Sequence, residues 1–169
     1  GILNGHVSAK GPINNISADM RLDGKELLAA DIPLGDAVLT GSFSQGLLTI
    51  SRLDFTNKGS TVLITGDVAL FDPGLKNLDK DPDIHLKVLG DNLHVEDFFD
   101  KAKGTFSINA MMEGSMLHPI GDMAIAAKDL DLGFQHFSKL DMKIHADGGR
   151  FWVDPAILTL SGQENLNAT

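Results

Sequence analysis

The chain has 169 residues, 14 Lys plus Arg against 23 Asp plus Glu, a formal net charge of −9, and neither Cys nor Tyr. Without a thiol it has no disulfide scaffold, zinc–thiolate centre, iron–sulfur cluster or cysteine nucleophile. An acidic surface speaks against reading nucleic acid through its phosphates, and a hydrophobic fraction of 43% is too high for a disordered chain.

The dominant pattern is alternation of apolar and polar residues, the period of a strand with one wet face. It predicts strands near residues 2–9, 15–22, 36–43, 47–55, 61–71, 83–89, 104–112, 120–127, 139–146 and 150–160. Ile16, Ala18, Met20 and Leu22 alternate with Ser17, Asp19 and Arg21. Phe106, Ile108, Ala110 and Met112 alternate with Ser107, Asn109 and Met111. Leu140, Met142, Ile144 and Ala146 alternate with Asp141, Lys143 and His145. Reversals are expected at Gly11-Pro12, Asp23-Gly24, Ser44-Gln45-Gly46, Asn57-Lys58-Gly59, Asp72-Pro73-Gly74, Gly90-Asp91-Asn92 and Asp147-Gly148-Gly149. Only Lys25–Ala30 and Val95–Lys103 read as helical, and neither is long enough for a parallel βαβ crossover. Residues 72–83 are poor in apolar side chains and read as a long loop or a boundary.

Sliding the chain by 103 residues brings Gly1 onto Gly104, Gly11 onto Gly114, Asp19-Met20 onto Asp122-Met123, Lys25 onto Lys128, Leu27 onto Leu130 and Gly46 onto Gly149. This predicts two repeat units, 1–103 and 104–169, the second truncated. The chain opens on Gly1, has no signal segment, and closes on the polar stretch Ser161–Thr169 without an apolar strand. The expectation is a fragment, residues 1–169, of a longer β-repeat protein.

The sequence carries little that marks catalytic or metal chemistry. Asp79, Asp81 and Asp83 occupy positions 1, 3 and 5 of a calcium loop, but Ile84 replaces its glycine and Gly90 its bidentate glutamate. His6, His85, His94, His118, His136 and His145 form no i, i+4 pair. Ser44 has Gly46 after it, yet Ser42 stands where a nucleophile elbow needs glycine. No phosphate-cradling glycine loop occurs, and nothing calls for a cofactor, a metal or a catalytic residue. Asn15-Ile16-Ser17 and Asn167-Ala168-Thr169 are sequons that matter only in a eukaryotic secretory setting.

With about ten strands and hardly any helix, the apolar strand faces must meet one another or a ligand. A closed sandwich hides them; an open curved sheet leaves an apolar trough. All six Met lie at 20, 111, 112, 116, 123 and 142, and flexible Met suits varied apolar shapes.

Gly46-Leu47-Leu48-Thr49-Ile50-Ser51-Arg52-Leu53, then a short turn and Gly59-Ser60-Thr61-Val62-Leu63-Ile64-Thr65-Gly66-Asp67-Val68, resembles the recurring unit of AsmA-like and TamB-like proteins. Gly104-Thr105-Phe106 through Gly114, with Leu117-His118-Pro119-Ile120-Gly121, is similar to that family's next hairpin. Gly149-Arg150-Phe151-Trp152-Val153 with Pro155, Leu158 and Leu160 is similar to a further copy of the first pattern. The resemblance implies an all-β fold: an elongated, strongly curved antiparallel or mixed sheet forming an open, taco-like apolar trough with minimal helix. It implies a periplasmic segment of a parent anchored in the inner membrane of a Gram-negative cell. Its role would be intermembrane phospholipid transport or outer-membrane biogenesis, with a phospholipid or other apolar ligand and an outer-membrane assembly partner. The expected lining is Met20, Leu22, Leu39, Phe106, Ile108, Met112, Met123, Ile125, Met142 and Ile144. The protein is expected to be non-catalytic and to bind no nucleic acid, and raw strand edges are expected to invite self-association. The competing expectation is a structural or adhesive β-sandwich module of a bacterial surface protein.

Overall fold

The computed structural model describes residues 1–12, 16–29, 32–71, 77–160 and 165–168. The alternating pattern folds as one antiparallel sheet that does not close into a barrel. Its strands are β1 (Ile2–Lys10), β2 (Ser17–Ala29), β3 (Ile32–Ser44), β4 (Leu47–Asn57), β5 (Ser60–Ala69), β6 (Asp83–His94), β7 (Lys103–Ser115), β8 (His118–Asp131), β9 (His136–Asp147), β10 (Arg150–Val153), β11 (Ala156–Leu160) and β12 (Asn165–Ala168). They run in sequence order from β1 to β9, then β11 and β12, with β10 also paired to β9. Every pairing among the described residues is antiparallel, so the parallel component allowed by the "mixed" expectation is not there.

Several local expectations are corrected. Lys25–Ala29 continues β2 and is not helical; Ala30 lies outside the described residues. Asp23-Gly24 and Gly90-Asp91-Asn92 are not reversals but lie inside β2 and β6, where the pairing register shifts between Gly24 and Leu27 and between Gly90 and Leu93. In each, a polar residue with positive φ, Glu26 (51°) or Asn92 (52°), takes up the extra residue, and a Leu resumes the alternation. Val95–Lys103 holds only a three-residue 3₁₀ turn, Val95–Asp97. The expected strand 150–160 is interrupted at Asp154-Pro155, because proline has no N–H for the ladder. The polar C-terminal stretch does carry a strand, β12, paired to β11. Of the expected loop 72–83, residues 72–76, with Asp72-Pro73-Gly74, lie outside the described residues. The Ser44–Gly46, Asn57–Gly59 and Asp147–Gly149 reversals stand where expected, and Gly148 and Gly149 supply the two positive φ angles of a tight hairpin.

The register recurs at a spacing of 103 residues. Ile2 pairs with Lys25 and Thr105 with Lys128; Lys10 pairs with Ser17 and Glu113 with Ile120. Met20 pairs with Gly41 and Met123 with Ile144. Gly41 pairs with Ile50 and Ile144 with Val153, then Val38 with Asp54 and Asp141 with Ile157. The positive-φ positions recur too: Gly11 and Gly114, Glu26 and Asp129, Gln45 and Gly148, Gly46 and Gly149.

No second layer covers this sheet among the described residues. The accessible surface is 10968 Å², against about 8,100 Å² for a compact protein of this mass. The buried apolar residues are Ala37, Val68, Ile84, Leu93, Val95, Ala110, Ala127 and Ala146, half of them alanines.

Candidate functional site

Side chains paired across neighbouring strands share a face of the sheet. Following the pairing from β1 onward yields three unbroken apolar rows on one face. The first runs Val7, Met20, Gly41, Ile50, Gly66, Leu86, Met112, Gly121, Ala146, Phe151. The second runs Gly5, Leu22, Leu39, Leu53, Ile64, Val88, Ala110, Met123, Ile144, Val153. The third runs Leu3, Gly24, Ala37, Phe55, Val62, Gly90, Ile108, Ile125, Met142. No charged or hydrogen-bonding side chain interrupts them.

All ten residues expected to line an apolar surface fall on this one face. Nine sit in the three rows, and Phe106 stands in the next, between Leu93 and Ala127. Each is half-buried. The two faces differ in crowding. Ala37, Ala110, Ala127 and Ala146 on the apolar face are buried, whereas Ala124 and Ala126 on the opposite face are exposed. The apolar face is therefore the one whose side chains close over their own backbone.

Connections carrying Phe bracket this face at both strand ends. Phe71, after β5, meets Phe43 edge-on at 5.8 Å, and Phe98, after the 3₁₀ turn, meets Phe106 edge-on at 6.0 Å. The second bracket is fixed by a buried polar node. Ser60 Oγ and the Gly59 N–H donate to Asp97 Oδ2 at 2.7 and 3.3 Å, and the His94 N–H donates to Ser60 Oγ at 2.7 Å. Asn57 Nδ2 donates to the carbonyls of Pro33 and Asp97. The other bracket has its own anchor: Asp81 accepts from Ser115 Oγ and from the Leu117 N–H, which hold its carboxyl below the ordinary carboxylate range.

The opposite face is polar, with Asp19, Arg21, Asp67, His85, Lys87, Glu113, Asp122, Lys143 and His145 on it. Its concavities are distinct from the apolar rows. A hollow of about 760 Å³ is floored by Ala124 and Ala126 and walled by Leu89, Asn109, Ser107, Asp141, Lys143 and Ile157. Ile108, Ile125 and Met142 border it at the intervening positions, so their side chains project to the apolar face.

His145, on the polar phase of β9, is half-buried and held on both sides. Its Nδ1 faces Asp122 Oδ1 at 2.5 Å, its Nε2 faces Asp154 Oδ2 at 3.0 Å, and its ring stacks on Trp152 at 5.4 Å. The Asp154 and Asp122 hydrogen bonds raise its pKa. The signal was present: His145 and Trp152 flank Gly148-Gly149 symmetrically, so a two-residue hairpin must place them opposite one another. With both ring nitrogens engaged by carboxylates, this His fastens the β9–β10 hairpin and is not free as a general base. Among the described residues, no group of three or more His, Asp or Glu could hold a metal ion. No helix among them is long and apolar enough to cross a membrane.

No protein-family model matches the chain, and no curated protein and no solved structure matches it either.

Proposed function

We propose that the chain is a non-catalytic segment of a cell-envelope protein that shelters acyl chains, or another apolar ligand, along the apolar face of its sheet. The observation that carries this is the unbroken register of three apolar rows across nine or ten strands, on a single layer with no covering sheet or helix among the described residues. An open trough requires the sheet to bend toward that face; the buried alanines there fit this sense of curvature, while the 760 Å³ hollow lies on the opposite face. Desolvating acyl carbon supplies about 0.8 kcal/mol per CH₂. A run of similar aliphatic and Met side chains offers no single tight site, which suits passage along the face better than storage.

The resemblance to AsmA-like and TamB-like repeats agrees with this architecture and adds the setting. In it, the periplasm is the compartment, the parent is anchored in the inner membrane, and the activity is phospholipid transport or outer-membrane biogenesis with an assembly partner. The competing reading, a closed adhesive sandwich, needs two sheets packed about 10 Å apart; the described residues form one. Native mass spectrometry and solvent extraction of protein purified from a Gram-negative host test the proposal. Co-purifying phospholipid is expected; a lipid-free protein that also fails to take up phospholipid from vesicles contradicts it.

A further inference from the structure

The hollow of about 760 Å³ on the polar face reaches from β6 to β11 and falls within the size range of small-ligand sites. Its floor is Ala124 and Ala126, alternate residues of β8. Leu89 on β6 and Ile157 on β11 stand at its two sides, and Pro155 lies between β10 and β11.

The 103-residue shift supplies an internal comparison. Ala124, Ala126, Pro155 and Ile157 correspond to Arg21, Asp23, Arg52 and Asp54. Arg21 and Arg52 both pair with Thr40, and Asp23 and Asp54 both pair with Val38. Those four side chains form two ion pairs, Arg21–Asp23 at 3.1 Å and Arg52–Asp54 at 2.5 Å. The sheet thus accepts charge at these positions. Where the first unit carries two ion pairs, the second carries four apolar side chains around a void. The charge stands beside it instead, because Lys143 corresponds to Thr40.

The carboxylates around the hollow are already engaged. Asp91 accepts from Ser107 Oγ at 2.7 Å, Asp141 faces Lys139 Nζ at 2.5 Å, and Asp154 faces His145 Nε2 at 3.0 Å. The Lys143 ammonium and the Asn109 carboxamide have no partner among the described residues. Both pair with Ala124, from opposite sides, which puts their backbones two strand spacings, roughly 9.6 Å, apart. The Ala124 methyl leaves the space between them open.

We propose that this hollow binds a single-chain amphipathic anion. Its carboxylate sits over Ala124, between Lys143 and Asn109, and its alkyl chain lies over Ala126 between Leu89 and Ile157. A cation and an amide donor left unpaired beside an apolar floor select an acidic head on an apolar body, through charge-assisted N–H···O bonds that a neutral or cationic head does not make. The site lies on the face opposite the three apolar rows, so it stands or falls apart from the acyl-sheltering reading of that face.

Decanoate, titrated below its micellar range into the full chain by calorimetry and followed by amide NMR, tests this. Saturable one-to-one binding is expected, with the largest shifts at Ala124, Ala126 and Lys143. Lys143→Met is expected to weaken it about tenfold, the loss of one charge-assisted bond. Ala124→Arg combined with Ala126→Asp, the pair the first unit carries, is expected to abolish it with an unchanged far-ultraviolet β spectrum. Lys10→Met, at the end of β1, is the control and is expected to change nothing. Decyltrimethylammonium, of equal chain length and opposite charge, is expected not to bind the hollow. Absence of saturable decanoate binding, shifts confined to the apolar rows, or equal binding of decyltrimethylammonium overturns the proposal. So does a Lys143→Met protein that binds decanoate as tightly as the unmodified chain.

Discussion

Met20 and Met123 stand 103 residues apart and occupy one structural position: Met20 lies between Val7 and Gly41, and Met123 between Ala110 and Ile144, both on the apolar face. Leu22 and Ile125, and Leu39 and Met142, are related in the same way. The apolar face is thus a periodic surface. Met123→Asp and Ile125→Asp, placing a charge among half-buried apolar neighbours, are each expected to weaken phospholipid uptake about tenfold or more, from the loss of about 1.5–3 kcal/mol of apolar contact. Met111→Asp, on the opposite face one residue from Met112, is expected to leave uptake unchanged. A fluorescent-phospholipid titration checks all three.

Gly66 and Gly121 keep neighbouring strands in contact. Each has positive φ, 140° and 156°, and an added Cβ meets the His85 carbonyl oxygen at 1.9 Å or the Met111 carbonyl oxygen at 2.0 Å. Alanine at either position must push two strands apart, and each substitution is expected to cost at least about 1–3 kcal/mol. Gly59→Ala is the control, because its nearest neighbour is the His94 ring at 3.6 Å. Thermal unfolding should show a lower Tm for the first two and little change for the third.

Much of this was legible in the sequence, and the exceptions have physical reasons. Alternation put the ten residues expected to line an apolar surface on the apolar phase of their strands because the side-chain period of a strand is two. It broke at the bulges. Gly24-Lys25-Glu26-Leu27 and Gly90-Asp91-Asn92-Leu93 carry turn residues for the sake of one positive φ each, and local composition does not distinguish a bulge from a reversal. The two polar residues between Ile50 and Leu53 are likewise a bulge that returns Leu53 to the apolar face. The Asp97 node joins residues 37 positions apart and has no local signature.

That node is expected to hold one end of the sheet. Ser60 and Asp97 are 1% and 6% exposed. Asp97→Ala strips the buried Ser60 hydroxyl of its acceptor, at a cost of about 1–3 kcal/mol, and leaves the N–H of exposed Gly59 to water. A chemical-denaturation midpoint well below that of the unmodified chain is expected, with Asp97→Asn recovering part of it.

His145 makes stability depend on pH. Its folded pKa is raised, first by the Asp154 hydrogen bond and then by that of Asp122. Its contribution is therefore full below the unfolded histidine value, about 6.5, and is lost as pH rises through the higher folded value. Tm should fall across that window, and His145→Gln should remove this part of the fall. Trp152, the one Trp, reports the same proton through its stacked ring, so its fluorescence should titrate with a midpoint above about 6.5. A midpoint at or below that value contradicts the assignment.

The six Met place probes on both faces of the sheet. Met20, Met112, Met123 and Met142 lie on the apolar face, Met111 on the opposite face, and Met116 in the β7–β8 turn. With the protein labelled at its Met methyl groups, a phospholipid carrying a nitroxide on its acyl chain should broaden the first four resonances and spare Met111 and Met116. Broadening that is absent, equal for all six, or strongest at Met111 would contradict an acyl-binding apolar face.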